Sequence, residues 1–122
     1  MSNYDIEEIK AFVPAMDFEL SKRFYQSIGI EMKWSSDDLA YFASSGCSFM
    51  LQNYYLKEHA ESFMMHMLVS NADDWWSRVK DSEVEAEFDI SVGTPEDRDW
   101  GVRDFTLIDP TGVLWRIGHN IP

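Results

Sequence analysis

Three histidines and one cysteine are the only imidazole and thiol groups in this 122-residue chain. Cys47 sits in an apolar run and is expected to be an inert thiol. His59 falls in a connecting block, His66 in an alternating strand pattern and His119 near the C-terminal end, so no Ser/His/Asp or Cys/His nucleophilic constellation is visible. His66 could bind a ligand or titrate, and a packed or surface histidine fits the same position. Aromatic groups are the larger resource. They make up 15% of the residues, and a flat cation over a tryptophan face gains on the order of 0.5–2 kcal/mol. Trp100 is such a face, beside Glu96, Asp97 and Asp99, in a chain with 22 Asp and Glu against 10 Lys and Arg. The net charge of −12 argues against a nucleic-acid partner, because phosphate contacts need the opposite sign, and favours a cationic small molecule. Solubility alone would account for the same charge.

The elements that must hold these groups follow from periodicity. Residues 103–109 and 113–118 alternate as two strands, with Phe105 and Leu107 on one face of the first and Val113, Trp115 and Ile117 on one face of the second. Asp109-Pro110-Thr111-Gly112 is the tight turn between them. Upstream, residues 6–13 predict a first strand. Asp17 predicts the N-cap of a helix that shares Leu20, Phe24 and Ile28 on one face and stops at Gly29. Strands are expected at about 30–34, 39–44 and 47–53, the last two joined by Ser44-Ser45-Gly46, and residues 54–62 connect the halves. A strand at about 63–69, a helix opened by Asn71 or Asp73 and carrying Trp75, Trp76 and Val79, and strands at about 85–90, 103–109 and 113–118 then repeat the order.

Two ordered segments resemble the glyoxalase/bleomycin-resistance/dioxygenase superfamily. One is Trp-Gly-x-Arg-Asp-Phe followed by Asp-Pro-x-Gly and an apolar strand ending at Gly118; it resembles the closing segment of the bleomycin-resistance proteins. The other, Met16-Asp17 followed by the helix FELSKRFYQSIG with its Phe24-Tyr25 pair, is similar to the superfamily's first helix. They cover about a quarter of the chain, at opposite ends and in the family order. With this resemblance the element order predicts an α+β fold in a single domain, residues 1–122. Its two βαβββ modules, about 6–53 and 63–119, form a curved mixed sheet with helices on the convex side and a ligand cup on the concave side. Alternation puts Ile9, Ala11 and Val13 on the helix side, and Lys10, Phe12, Met64, His66, Leu68, Leu114 and Arg116 in the cup. A dimer interface or plain core would give a similar list.

The resemblance implies where function sits. Metal-using members place His or Glu at three inner-face slots, which fall here on Lys10, Met64 and Arg116. Two cations and a thioether do not make a divalent-metal site, so neither a metal nor any other cofactor is called for. Bleomycin-resistance proteins are homodimers that sequester a planar, cationic drug in clefts between subunits. In that setting Trp100 matches the stacking position, Asp38 falls near an acidic ligand contact, and Phe12, Tyr41, Met64, His66, Arg116 and Trp34 complete the candidate wall. Some drug-binding members open the first strand with a proline, at a place that is Ala11 here, with Pro14 three residues later, so exchange of the N-terminal arm is not carried over. The expectation is a non-catalytic, homodimeric small-molecule binder. The alternative is a lyase, isomerase or dioxygenase-type enzyme of the same superfamily. The polar, acidic start and the lack of an apolar run of ~20 residues predict a cytosolic protein without membrane attachment.

Overall fold

Two side-chain caps start the long helices of the computed structural model, which describes residues 3–122. Asp17 accepts from the Leu20 N–H at 3.1 Å and opens α1 (Phe18–Ser27); Asn71 accepts from the Asp74 N–H at 3.1 Å and opens α3 (Ala72–Asp81). Module one runs β1 (Phe12–Ala15), α1, β2 (Glu31–Ser35), β3 (Leu39–Ser44) and β4 (Cys47–Asn53). A short helix α2 (Lys57–Glu61) leads into module two: β5 (Met64–Leu68), α3, α4 (Val84–Phe88), β6 (Glu96–Asp97), β7 (Val102–Ile108) and β8 (Leu114–Asn120). Each module makes a four-stranded mixed sheet, ordered β1-β4-β3-β2 and β5-β8-β7-β6, with β1/β4 and β5/β8 parallel. Both modules therefore wind in the same way, and their strand order repeats as the element order implied.

Three local expectations are corrected. The first strand begins at Phe12 and not at residue 6: Ile9 is 82% exposed, and Glu8 is drawn over the sheet by Tyr41 and Ser48 instead of continuing the ladder. The connecting block contains α2, which buries Ala60. Residues 85–90 are not a strand. The run Val84-Glu85-Ala86-Glu87-Phe88 alternates apolar and polar residues, but its apolar ends are also four residues apart, and packing selects that second period: Val84 and Phe88 are buried, and the Phe88 ring meets Phe24 edge-on at 5.5 Å. Left-handed residues on both sides, Glu83 (φ 60°) and Asp89 (φ 53°), confine α4 to this one turn.

One core serves both modules, since Val13, Phe24, Tyr25, Phe42 and Leu51 pack with Phe105, Leu107, Trp115 and Ile117. At its centre is a polar knot. The buried Asp109 carboxylate accepts from the backbone N–H groups of Thr111, Gly112 and Val113 at 2.9, 3.0 and 2.9 Å. Its other oxygen takes the Tyr25 hydroxyl, which itself accepts from Trp115 Nε1 at 2.9 Å. Thr111 ties the same turn to module one by accepting from the Met16 N–H at 3.0 Å. Burial pushes the Asp109 carboxyl upward from its usual value, and the four donors pull it back. Gly29 completes the join: its φ of +99° suits glycine, and the Arg78 guanidinium, which donates to its carbonyl at 3.2 Å, occupies the space a Cβ would need.

Tyr25→Phe removes one hydroxyl and leaves Asp109 Oδ2 and Trp115 Nε1 buried without their partner. It is expected to lower unfolding free energy by about 1–3 kcal/mol in urea titration with little change in fold; a loss within about 0.5 kcal/mol of zero would show that the knot contributes no net stability.

Candidate functional site

The faces turned away from this core carry the candidate site. On sheet one, Phe12, Met50 and Tyr41 stand in one cross-strand row. Trp34 would fall on the opposite, core side if β2 paired evenly, two residues after the core-packed Met32. Register instead shifts between Met32, opposite Phe42, and Trp34, opposite Tyr41, so Lys33 is the extra residue of a β-bulge and Trp34 is turned onto the Tyr41 side. The two rings lie 6.2 Å apart. With Glu8 and Lys10 these residues line a cavity of about 310 Å³. Glu8 accepts from Lys10 Nζ at 2.5 Å, from the Ser48 hydroxyl, and from the Tyr41 hydroxyl at 2.5 Å, which holds its carboxyl at about 2, well below the usual value. Lys10 is thereby ion-paired, with its ammonium 5.6 Å from the Tyr41 ring centre.

On sheet two, His66 (β5), Arg116 (β8) and Thr106 (β7) form the equivalent row. Asp104, one step along the same face, is 1% exposed and is held by Arg98 Nε at 2.7 Å and an Arg116 terminal nitrogen at 3.3 Å. Its neighbour Gly118 has no room for a side chain, because an added Cβ would lie 2.7 Å from Asp104 Cβ and 2.8 Å from the Arg103 carbonyl oxygen. A turn closed by the Gly101 N–H donating to the Arg98 carbonyl at 3.2 Å carries Trp100 at its tip, 64% exposed and 5.9 Å from the Arg116 guanidinium.

The candidate residues thus gather in two groups: Phe12, Tyr41 and Trp34 on sheet one, and Trp100, Met64, His66 and Arg116 on sheet two. Asp38 joins neither group; it lies exposed in the β2–β3 turn, where its carbonyl accepts from the Asn53 N–H at 2.8 Å. Glu8, Arg98 and Asp104 were not singled out by sequence reasoning. Cys47, expected inside an apolar strand, is exposed at the start of β4. It stands on the rim of a further cleft of about 710 Å³ along β5, walled by Phe42, Phe49, Met65, Met67, Trp75 and Trp115, bordered also by the candidate His66 and by Leu68, and by no lysine, arginine, aspartate or glutamate. The three slots implied for a metal do not fit one: Lys10 is ion-paired, Met64 offers a thioether, and Arg116 is a cation. Among the described residues no group of three His, Cys, Asp or Glu side chains converges where an ion could sit.

The family model described as Glyoxalase/Bleomycin resistance protein/Dioxygenase superfamily matches residues 9–117. The chain belongs to this superfamily. No curated protein sequence matches it. Among solved structures, a bleomycin-binding protein complexed with bleomycin has a TM-score of 0.79 at 17% identity, covering 94% of this chain and 99% of its own. The bleomycin-binding protein of Streptomyces verticillus, complexed with copper(II)-bleomycin, gives 0.76 at 14% identity, with 97% and 98% covered. Lactoylglutathione lyase from Agrobacterium tumefaciens gives 0.66 at 17% identity, with 97% and 95% covered. The superfamily fold therefore extends over nearly the whole chain, and binding proteins and an enzyme share it.

The Glu8 network has a defined pH signature. A carboxyl held below its usual value favours the docked arm above the ordinary carboxylate range, and that contribution is lost as pH falls from about 4.5 towards about 2. In a carbon-detected NMR titration Glu8 should have a midpoint near 2, and Ser48→Ala with Tyr41→Phe should return it towards the ordinary value; a wild-type midpoint near 4.5 would mean that the arm is not docked.

Proposed function

We propose that this protein binds and sequesters a planar aromatic small molecule of cationic character, without chemical turnover, in a cup completed by a second copy of the chain. The observation that carries this reading is the amount of apolar and aromatic surface left open on the faces away from the core: Phe12 and Trp34 on sheet one, and Met64, Leu68 and Trp100 on sheet two, are all exposed. Sheet faces of this composition are covered by a partner, a ligand or both. The solved relatives complexed with bleomycin add support at the level of fold, and the net charge of −12 favours a cation approaching from a distance.

A second reading, a small-molecule enzyme of the superfamily, is favoured by one feature: His66 lies level with Arg116 on the open face, where it could exchange a proton with a ligand held by the guanidinium. Binding without product formation separates the two.

Sedimentation should give about twice the 14.2 kDa chain mass. A concentration-independent monomer would remove the second copy from the cup.

Calorimetry against a panel of cationic aromatics that includes bleomycin should find a ligand, returned unchanged, whose binding is weakened by about 1–3 kcal/mol in Trp100→Ala and weakened further as salt rises. Failure of the whole panel, release of a product, or a stoichiometric transition metal in the purified protein would overturn the binding reading.

A further inference from the structure

Beside Trp100 on sheet two, the nearest side-chain charge differs in sign from the chain as a whole. Asp104 is 1% exposed, so its carboxylate is out of reach, and both of its oxygens are already taken, one by Arg98 and one by Arg116. What remains at the surface is guanidinium, with side chains 24% exposed for Arg98 and 30% for Arg116. One buried negative charge therefore lies beneath two partly open positive ones. The outer partner of Arg98, Glu96, is 3.6 Å away and 64% exposed, a contact that water screens.

Arg116 is also preorganised. One terminal nitrogen is fixed on Asp104, the guanidinium carbon lies over the Trp100 ring at 5.9 Å from its centre, and the backbone is locked between β5 and β7 at the His66–Arg116–Thr106 row. Its remaining N–H groups form a fork suited to two oxygens of one group, and Thr106 and His66 flank it in the same cross-strand row. An arginine held in this way loses little side-chain entropy when an oxyanion arrives.

Resting on the binding reading above, we propose that the sheet-two end of the cup recognises a carboxylate on the planar ligand: Arg116 receives the carboxylate, and Trp100 stacks on the ring that bears it. The ligand class is thus an aromatic carboxylic acid, with any cationic group directed away from Arg116 towards the acidic surroundings. The long-range field selects the charge of the whole ligand, and this short-range contact selects the group placed beside Trp100.

Three probes that share one ring system and differ only in the attached group test this by calorimetry at moderate salt: naphthoate, naphthalenemethanol and naphthylmethylammonium. Naphthoate is expected to bind at least about 10-fold more tightly than the alcohol, as for a hydrogen bond to a charged group. Arg116→Gln should abolish that advantage, lowering naphthoate affinity at least about 10-fold more than alcohol affinity, and Arg116→Lys, which keeps the charge but loses the fork, should retain part of it. Arg98 still pairs Asp104 in both variants, and unchanged melting temperatures would show that the fold is kept. The inference is overturned if naphthoate binds no better than the alcohol, or if its advantage survives Arg116→Gln. Binding of the ammonium and alcohol without naphthoate would overturn it and leave the cup reading standing; binding of none would overturn both.

Discussion

A single buried carboxylate determines how the two halves of this chain meet. Asp109 belongs to the last turn of module two, yet its partner Tyr25 is on the first helix of module one, and Trp115 completes the chain of donors. An acidic group at 2% exposure is tolerated only when its lone pairs are filled, and here three backbone amides and one hydroxyl fill them. The geometry of that satisfaction holds α1 and the β7–β8 turn in one arrangement. Around it Phe42, Phe49, Tyr25 and Trp115 pack ring to ring at centroid distances of 5.2 to 5.7 Å.

Because the modules spend their core-facing sides on each other, the opposite faces of both sheets remain open. This is a consequence of alternation along a strand: each residue that reaches the shared core leaves its neighbours pointing away from it. Module one departs from strict alternation at Lys33, and there the bulge turns a tryptophan outward that even pairing would have sent into the core. Module two reaches a comparable result by a different device, a turn that raises Trp100 above the sheet at the mouth of β7. The two modules share strand order but not the means of presenting an aromatic ring.

Elements whose signal is local were legible in the sequence. The Asp17 cap, the Gly29 stop, β3 and β4 to the residue, and the Asp109 turn each follow from a few adjacent side chains with one favourable backbone geometry. Illegible features depend on contacts distant in sequence. The run at 84–88 satisfies two periods at once, and packing against distant residues such as Phe24, some sixty residues earlier, selects between them. The clamp on Asp104 joins Arg98, which looked like one more charge in an acidic loop, to Arg116, and no spacing rule links a loop residue to a strand on the far side of a hairpin. Glu8 was hidden for a related reason: its partners Tyr41 and Ser48 meet it only after the arm folds back over the sheet.

These hidden contacts change what the charge of the chain implies. A net charge of −12 describes the potential far from the surface, but both aromatic walls already have a cation of the protein's own beside them, Lys10 at Tyr41 and Arg116 at Trp100. An incoming cation that sought either ring would have to displace or repel a group tethered by a carboxylate, Glu8 in one case and Asp104 in the other. The two tethers are unequal. Glu8 lies on a terminal arm outside the sheet, whereas Asp104 is buried in a central strand. The sheet-one cation is thus tethered by a carboxylate outside the sheet, and the sheet-two cation by one within it. At sheet two the guanidinium of Arg116 is fixed on a buried carboxylate, and on the reading proposed above the ligand group complementary to it is one that accepts its hydrogen bonds.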